Sequence, residues 1–264
     1  MSQNSHKIAN LLRSIVGLPP VHRYTTAIIA AAGSSARMGS DSSKLLLSLD
    51  GVPVLARTLS AYQAAKNIDE IVLVARREDY DSFIALAKQY RITKLKRITQ
   101  GADDRQTSVL RGLEVVSEKT KFVAIADGAR CLTTPEQIDL ICDTAYRTMA
   151  ASAATPAIDT IKLVDSKGYT KKNSPDRKDV WLAQTPQIFS LPLYRAAAYH
   201  AKENGLIATD DNALVEAIGR RVKLVDCGKE NMKLTTPDDL YTANAILQYR
   251  AESDKNKNKD GIES

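Results

Sequence analysis

Between Thr25 and Cys227, short apolar runs alternate with longer stretches of helical periodicity, and this alternation constrains the fold more than any other feature of the chain. The strand-like runs are TTAIIAA (25–31), DEIVLVA (69–75), LKRITQ (95–100), KFVAIAD (121–127), ASAATPAI (151–158) and RVKLVDC (221–227). Helix-like segments separate them: PVLARTLSAYQAA, with Pro53 at a first-turn position, DYDSFIALAKQY, RQTSVLRGLEVVS, and TPEQIDLICDTAYRTM, with a threonine cap before Pro135. Strand then helix, repeated, predicts an α/β chain with a mostly parallel sheet covered by helices on both faces.

The alternation fails between about 159 and 190. There, two short strand-like pieces flank the polar centre SKGYTKKNSPDRK, which predicts a protruding β-arm over about 159–186. An arm of that length is expected to pack on a second subunit. Helical patterns resume at LPLYRAAAYHAKEN and DDNALVEAIG, and TTPDDLYTANAILQYR reads as a capped final helix. The expected organisation is an N-terminal extension (1–24), one domain (25–250) and a disordered, charged tail (251–264).

Composition removes several classes of function. The net charge is +6, yet five lysines sit in the tracts at 171–172 and 255–259, and aromatic residues make up only 5%. Single-strand binders interleave cations with aromatic platforms, so no nucleic-acid partner is expected. Cys131, Cys142 and Cys227 form no CxxC pair, and His6, His22 and His200 are scattered, which argues against structural zinc and a disulfide framework. No run approaches the roughly 20 apolar residues of a membrane helix, and LLRSIVGLPP is broken by Arg13. No membrane partner is expected, and the simplest location is a reducing cytoplasm.

The loop AAGSSARMGSDSSK (31–44) follows the first strand. In open parallel sheets ligands bind beyond the C-terminal strand ends, where loops enter helices and peptide N–H groups are free. Small residues let backbone approach phosphate oxygens, while Arg37 can fork onto them and Lys44 adds a point charge. It is not a Walker A loop, since no GK[ST] closes it. On spacing alone, phosphate binding and an ordinary polar loop both remain open.

The pattern AAGSSARM, then Lys44 and GVPVL, resembles the signature of sugar-nucleotide-type nucleotidyltransferases. GADDRQTSVLRGL, ADGAR, TPAIDTIK, DRKDVWLAQTPQIF, ATDDNALVE and NMKLTTPDDL follow in the order and spacing of the 2-C-methyl-D-erythritol 4-phosphate cytidylyltransferase family, across about residues 25–248. The resemblance implies a Rossmann-like three-layer α/β/α fold and joining of CTP to a sugar phosphate with release of pyrophosphate. Both reactants are anionic, so cations must hold them together.

What the resemblance implies for single residues is as follows. Arg37 and Lys44 contact the triphosphate, and peptide groups of Ala31, Ala32, Gly33 and Ser34 cradle the nucleotide. Gly101, Arg105 and Ser108 lie near the cytidine; Asp127 binds magnesium, although from the residues alone it reads equally as a helix N-cap. Arg130, Thr209 and Asp210 face the sugar phosphate, Lys233 serves a phosphate, and Glu230 is a candidate helper for the metal. Helix capping is the competing reading for Thr209 and Asp210, as it is for Asp104. Thr160 and Arg177, on the arm, match residues that enter a neighbouring subunit's site, which implies a homodimer with shared sites.

The chain departs from the family's HDAxRP at ADGARC, with Ala126, Gly128 and Cys131 in place of His, Ala and Pro. Ser35 and Ser43 stand where Gly and Pro are usual. Asp127 and Arg130 preserve both charges. Two competing functions follow: a D-ribitol 5-phosphate cytidylyltransferase, which shares these motifs, and a non-catalytic nucleotide-binding scaffold that has lost activity through the altered loop.

Overall fold

The computed structural model describes residues 23–33 and 43–260; the extension before Arg23 and the loop containing Ser34, Ser35 and Arg37 lie outside them. In chain order the strands are β1 (Thr25–Ala31), β2 (Ser48–Leu49), β3 (Val52–Pro53), β4 (Glu70–Ala75), β5 (Leu95–Gln100), β6 (Phe122–Asp127), β7 (Ala150–Pro156), β8 (Trp181–Ser190) and β9 (Lys223–Asp226). The α-helices are α1 (Val54–Ala64), α2 (Tyr80–Gln89), α3 (Arg105–Glu114), α4 (Pro135–Thr148), α5 (Leu191–Glu203), α6 (Asp211–Ala217) and α7 (Asp238–Asp260).

Seven strands form one sheet in the order β5-β4-β1-β6-β8-β7-β9. All neighbours are parallel except β8, which runs antiparallel to both β6 and β7. The chain leaves β7, makes the arm, and returns as β8 between β6 and β7. Side chains alternate faces along each strand. Ala27, Ile29, Phe122, Ala124 and Ala126 join the core beneath α1, α2, α4 and α7, while Ile28, Val123 and Ile125 join the core beneath α3, α5 and α6. Central strands buried on both faces explain why these runs read as nearly continuous apolar sequence.

Differences from the sequence expectations have local causes. LAQTPQIF belongs to a ten-residue strand in the middle of the sheet, where Pro186 and three polar side chains hide the apolar signature. Asp50 and Gly51 both take positive φ (50° and 74°) and turn the β2–β3 hairpin, the Asp-Gly geometry that suits a type I′ turn. Pro53 precedes α1 as its N-cap instead of lying inside the first turn. Arg23 and Tyr24 belong to the folded body, since Arg23 donates to the Tyr146 carbonyl at 2.6 Å and Tyr24 to the Glu70 carboxylate at 3.2 Å.

The tail boundary also moves. Helix α7 runs to Asp260, well past residue 250. Once a helix is nucleated, each added residue costs little, and Ala, Glu and Lys are favourable helix formers. Among the described residues, no helix is long and apolar enough to cross a membrane.

Candidate active site

Asp127 is the last residue of β6, and its position sets the site. The β6–β8 ladder stops at the pair Ile125–Gln187. Beyond it, the Asp127 amide donates instead to the Thr185 hydroxyl at 3.0 Å, so a side chain replaces the missing backbone acceptor and fixes where the carboxylate emerges.

Three cations converge on that carboxylate. Lys233 Nζ lies 3.1 Å from Oδ2, Arg130 Nε 3.4 Å from the same oxygen, and Arg105 Nε 3.4 Å from Oδ1. Burial acts to raise the Asp127 pKa, but Lys233, Arg105 and Arg130 outweigh it and hold the group below the ordinary carboxylate range. Asp127 is therefore an ionised carboxylate at the bottom of a cleft.

The cations are themselves fixed. Arg105 is the first residue of α3, whose N-cap Asp104 accepts from the Thr107 amide at 2.8 Å. Its other guanidinium nitrogen pairs with Asp211 at 2.7 Å, and Asp211 accepts from the Tyr194 hydroxyl at 2.6 Å. Burial would weaken the charge on Arg105, yet Asp211 and Asp127 hold its proton more tightly than usual. For Asp211 itself burial prevails and raises the pKa, with Arg105 pulling the other way. Arg130 donates to the Asn231 carbonyl at 2.7 Å, and desolvation lowers its pKa against the pull of Asp127.

Lys233 rides on the loop after β9, pinned by the fully buried Asn231. The Asn231 amide donates to Gln184 Oε1 and the Thr185 carbonyl, both at 3.0 Å, and its Oδ1 accepts from Thr133. Lys44 reaches the same loop, donating to the Leu234 carbonyl at 2.9 Å. A cleft of about 260 Å³ is thus lined by Ala31, Ala32, Gly33, Lys44, Arg105 and Ser108 above Asp127 and Lys233.

The other residues singled out in the sequence fall in several places. Gly101 lies just beside the cleft; a Cβ built there would stand 2.2 Å from that of Ala32, so only glycine permits this approach of two loops. Ser34 and Arg37 lie outside the described residues. Asp210 spends one oxygen capping α6 through the Ala213 amide (3.0 Å) and the other on Gln187 (2.9 Å), while Thr209 is exposed. Glu230 pairs with Arg250 at 2.8 Å, which draws it from any metal role beside Lys233. Thr160 and Arg177 are exposed on the arm, and the Arg177 guanidinium donates to the Ile158 carbonyl at 2.8 Å. Neither lines the cleft of its own chain.

Sequence reasoning missed the support beneath these groups. Asp211, Tyr194, Thr185, Gln187 and Asn231 are all buried and all serve the site through another residue. Gln187 Oε1 accepts from the amides of both Asp211 and Asn212, at 2.9 and 3.0 Å. The signal was present in LAQTPQIF: three polar side chains within a strand buried on both faces require partners.

An open α/β sheet that gathers cations around a carboxylate at the end of a central strand, beside a loop of small residues, has the architecture of a nucleotidyltransferase, and solved structures agree. The structure titled as 4-diphosphocytidyl-2C-methyl-D-erythritol synthase from Anaerococcus prevotii superposes with a TM-score of 0.77 at 31% identity, over 86% of this chain and 99% of that one. The chain belongs to the 2-C-methyl-D-erythritol 4-phosphate cytidylyltransferase family, whose model matches residues 25–249. Relatives bearing that name from Parasynechococcus marenigrum and Microcystis aeruginosa are 44% and 42% identical, each over 84% of this chain and 97% and 98% of theirs.

Proposed function

We propose that the chain joins CTP to 2-C-methyl-D-erythritol 4-phosphate, giving 4-diphosphocytidyl-2-C-methyl-D-erythritol and pyrophosphate, a step of isoprenoid biosynthesis. The observation that carries this reading is the convergence of Arg105, Arg130 and Lys233 on Asp127 beneath the loop bearing Lys44. A phosphate oxygen of the sugar attacks the α-phosphorus of CTP, and the bond to the β-phosphate oxygen breaks. Lys44, with Arg37 from the same loop, holds the triphosphate and offsets the charge growing at the α-phosphate, while Lys233 and Arg130 steady the attacking phosphate. Because their partners are already set, little reorganisation accompanies the reaction.

Asp127 is the residue that would hold magnesium. It is ionised and faces the cleft, and this ion is commonly bound by one or two carboxylates together with substrate phosphates. No cluster of three or more His, Cys, Asp or Glu exists among the described residues, so substrate oxygens and water would have to supply its remaining ligands. When bound, magnesium neutralises phosphate charge. The arm brings Thr160 and Arg177 to the sugar-phosphate side of a second copy's cleft, making a homodimer with shared sites. Three free, buried cysteines support a reducing cytoplasmic location.

The test is pyrophosphate release from CTP and magnesium, with 2-C-methyl-D-erythritol 4-phosphate and D-ribitol 5-phosphate in parallel, repeated with chelator. Turnover with the first substrate, lost on chelation, upholds the reading. Turnover with ribitol phosphate alone moves the enzyme to polyol chemistry, and CTP binding with no turnover on either makes it a scaffold.

A further inference from the structure

A second concavity, of about 740 Å³, lies where α2 packs beside the edge strand β5, and among the described residues it shares no lining residue with the cleft. It includes Ile92 and Thr93, at the N-terminal end of β5, whereas the substrate loops leave the C-terminal ends of their strands. Its volume falls within the range of sites for small organic ligands, about 300–1,000 Å³. Ile84, Ala87, Ile92, Leu95 and Ile98 supply an apolar floor, and Ile84 is 40% exposed.

The rim has one sign of charge. Among the described residues, Lys88, Arg91, Lys96 and Arg97 line the groove, and no acidic residue does. Arg97 is neutralised by Glu70 at 2.6 Å, and Lys96 donates to the Thr93 carbonyl at 2.9 Å. Among the described residues, no carboxylate forms an ion pair with Lys88 or Arg91. Ile71 pairs with Leu95 and Val72 with Arg97, so Lys96 is the extra residue of a bulge that interrupts the ladder beside the groove. Arg91, just past the end of α2, takes a φ of +53°, in the left-handed region where glycine is the favoured residue. The chain thus places an unpaired guanidinium at a position whose backbone would be less strained with no side chain at all.

We propose that this groove is a second binding site, for a small amphiphilic anion whose apolar chain or ring covers the floor and whose phosphate or carboxylate head meets Lys88 and Arg91. Charge complementarity selects this occupant: a neutral apolar ligand leaves the rim cations unused, and inorganic phosphate leaves the floor exposed to water. The inference stands independently of the reaction assigned to the cleft.

The test is calorimetric titration of the full chain with dodecyl phosphate below its micelle concentration, beside dodecyl maltoside and inorganic phosphate. Dodecyl phosphate is expected to bind at least tenfold more tightly than either, and CTP is expected not to displace it. Arg91→Gly removes the cation while suiting the left-handed backbone, and Lys88→Gln removes the other with little change of shape. Each should weaken binding at least fivefold while pyrophosphate release stays at the wild-type rate. Equal affinity for the neutral detergent, undiminished binding in both variants, displacement by CTP, or no binding would overturn the proposal. A dimer that dissociates on adding dodecyl phosphate or in either variant would overturn it too, by making the groove an interface between copies.

Discussion

The floor of the cleft and the arm present the same residue types in opposite circumstances. On the floor, Arg105, Arg130 and Lys233 each have a carboxylate partner, and the polar groups beneath them are bonded to one another. On the arm, Thr160 and Arg177 face solvent, and so do Ile158, Leu163, Val164, Tyr169 and Leu182. A run of exposed apolar side chains of that size marks a surface that something covers. The difference teaches that the chain completes the floor beneath Asp127 from its own residues, whereas its arm carries an apolar surface that its own fold leaves uncovered.

The largest effect expected from this contrast is on turnover alone. Lys44→Ala, and likewise Arg37→Ala, should reduce the rate of pyrophosphate release by about 10²–10³, the loss typical of removing one transition-state charge contact. Thermal melting should change far less, because Lys44 sits at an open edge, where a hydrogen bond such as the one it donates to the Leu234 carbonyl contributes about 1 kcal/mol. Normal turnover in either variant would remove the triphosphate assignment. Next, Arg177→Ala should lose turnover while its melting temperature stays unchanged, and mixing it with Lys44→Ala subunits should restore activity, since one site of each heterodimer is then intact. Verified heterodimers without activity would show that the arm serves its own chain.

Asp211→Asn separates the two regions differently, because the floor is also a structural element. Weakening one partner of a buried ion pair leaves Arg105 undercompensated, which costs on the order of 3 kcal/mol. Both melting temperature and turnover should fall, unlike the arm variant, in which only turnover falls. A fall in turnover with unchanged melting temperature would mean that Asp211 positions Arg105 without contributing to stability.

The sequence made the two-faced parallel sheet legible because β1, β4 and β6 are buried on both sides and carry polar residues only at their ends, Thr25 and Thr26, Glu70 and Asp127, which leaves the apolar runs uninterrupted. The places of Asp127 and Lys44 at the cleft were legible because one ends a strand and the other closes a loop of small residues, although from the residues alone Asp127 reads equally as a helix cap. Asp211 was not, since Thr-Asp-Asp before an apolar run reads as a helix cap, and Asp210 does cap α6 while its neighbour turns inward to Arg105. No local pattern distinguishes those two carboxylates. The distinction comes from Gln187, which holds the Asp211 and Asn212 amides from a strand remote in sequence. The helical tail escaped because its polar composition, read as disorder, is equally that of a solvated helix.

A smaller effect is expected on the acid side. Asp127 is ionised in the fold at a pH where it would be protonated in the unfolded chain, so its contribution to stability is full above the ordinary carboxylate range and is lost as pH falls through and below about 4. Asp211, raised by burial, works in the opposite direction, favouring the folded state as it protonates. Melting curves between about pH 5 and 3 should therefore fall less steeply for Asp127→Asn than for the wild type. Asp104 and Asp239, also held low by backbone donors, keep part of the slope in both proteins. Parallel slopes would mean that the three cations around Asp127 do not stabilise its charge.

The smallest effect concerns Cys131, which stands beside Arg130 where the family usually has proline. A thiol next to an arginine at an active site invites the expectation of a reactive thiolate. The surroundings oppose it: the side chain is buried, and desolvation pushes its pKa up to about 11 despite the pull of Arg57 and Arg250. Cys227 is likewise raised to about 11, and burial lifts Cys142 well above its usual value. A thiol reagent at pH 8 should therefore modify none of the three in the native protein within the time in which it modifies all of them in denaturant, and turnover should survive the exposure. Rapid modification of Cys131 with loss of activity would show that the floor opens to solvent as the arm does, and the division between a closed half and an open half would not hold.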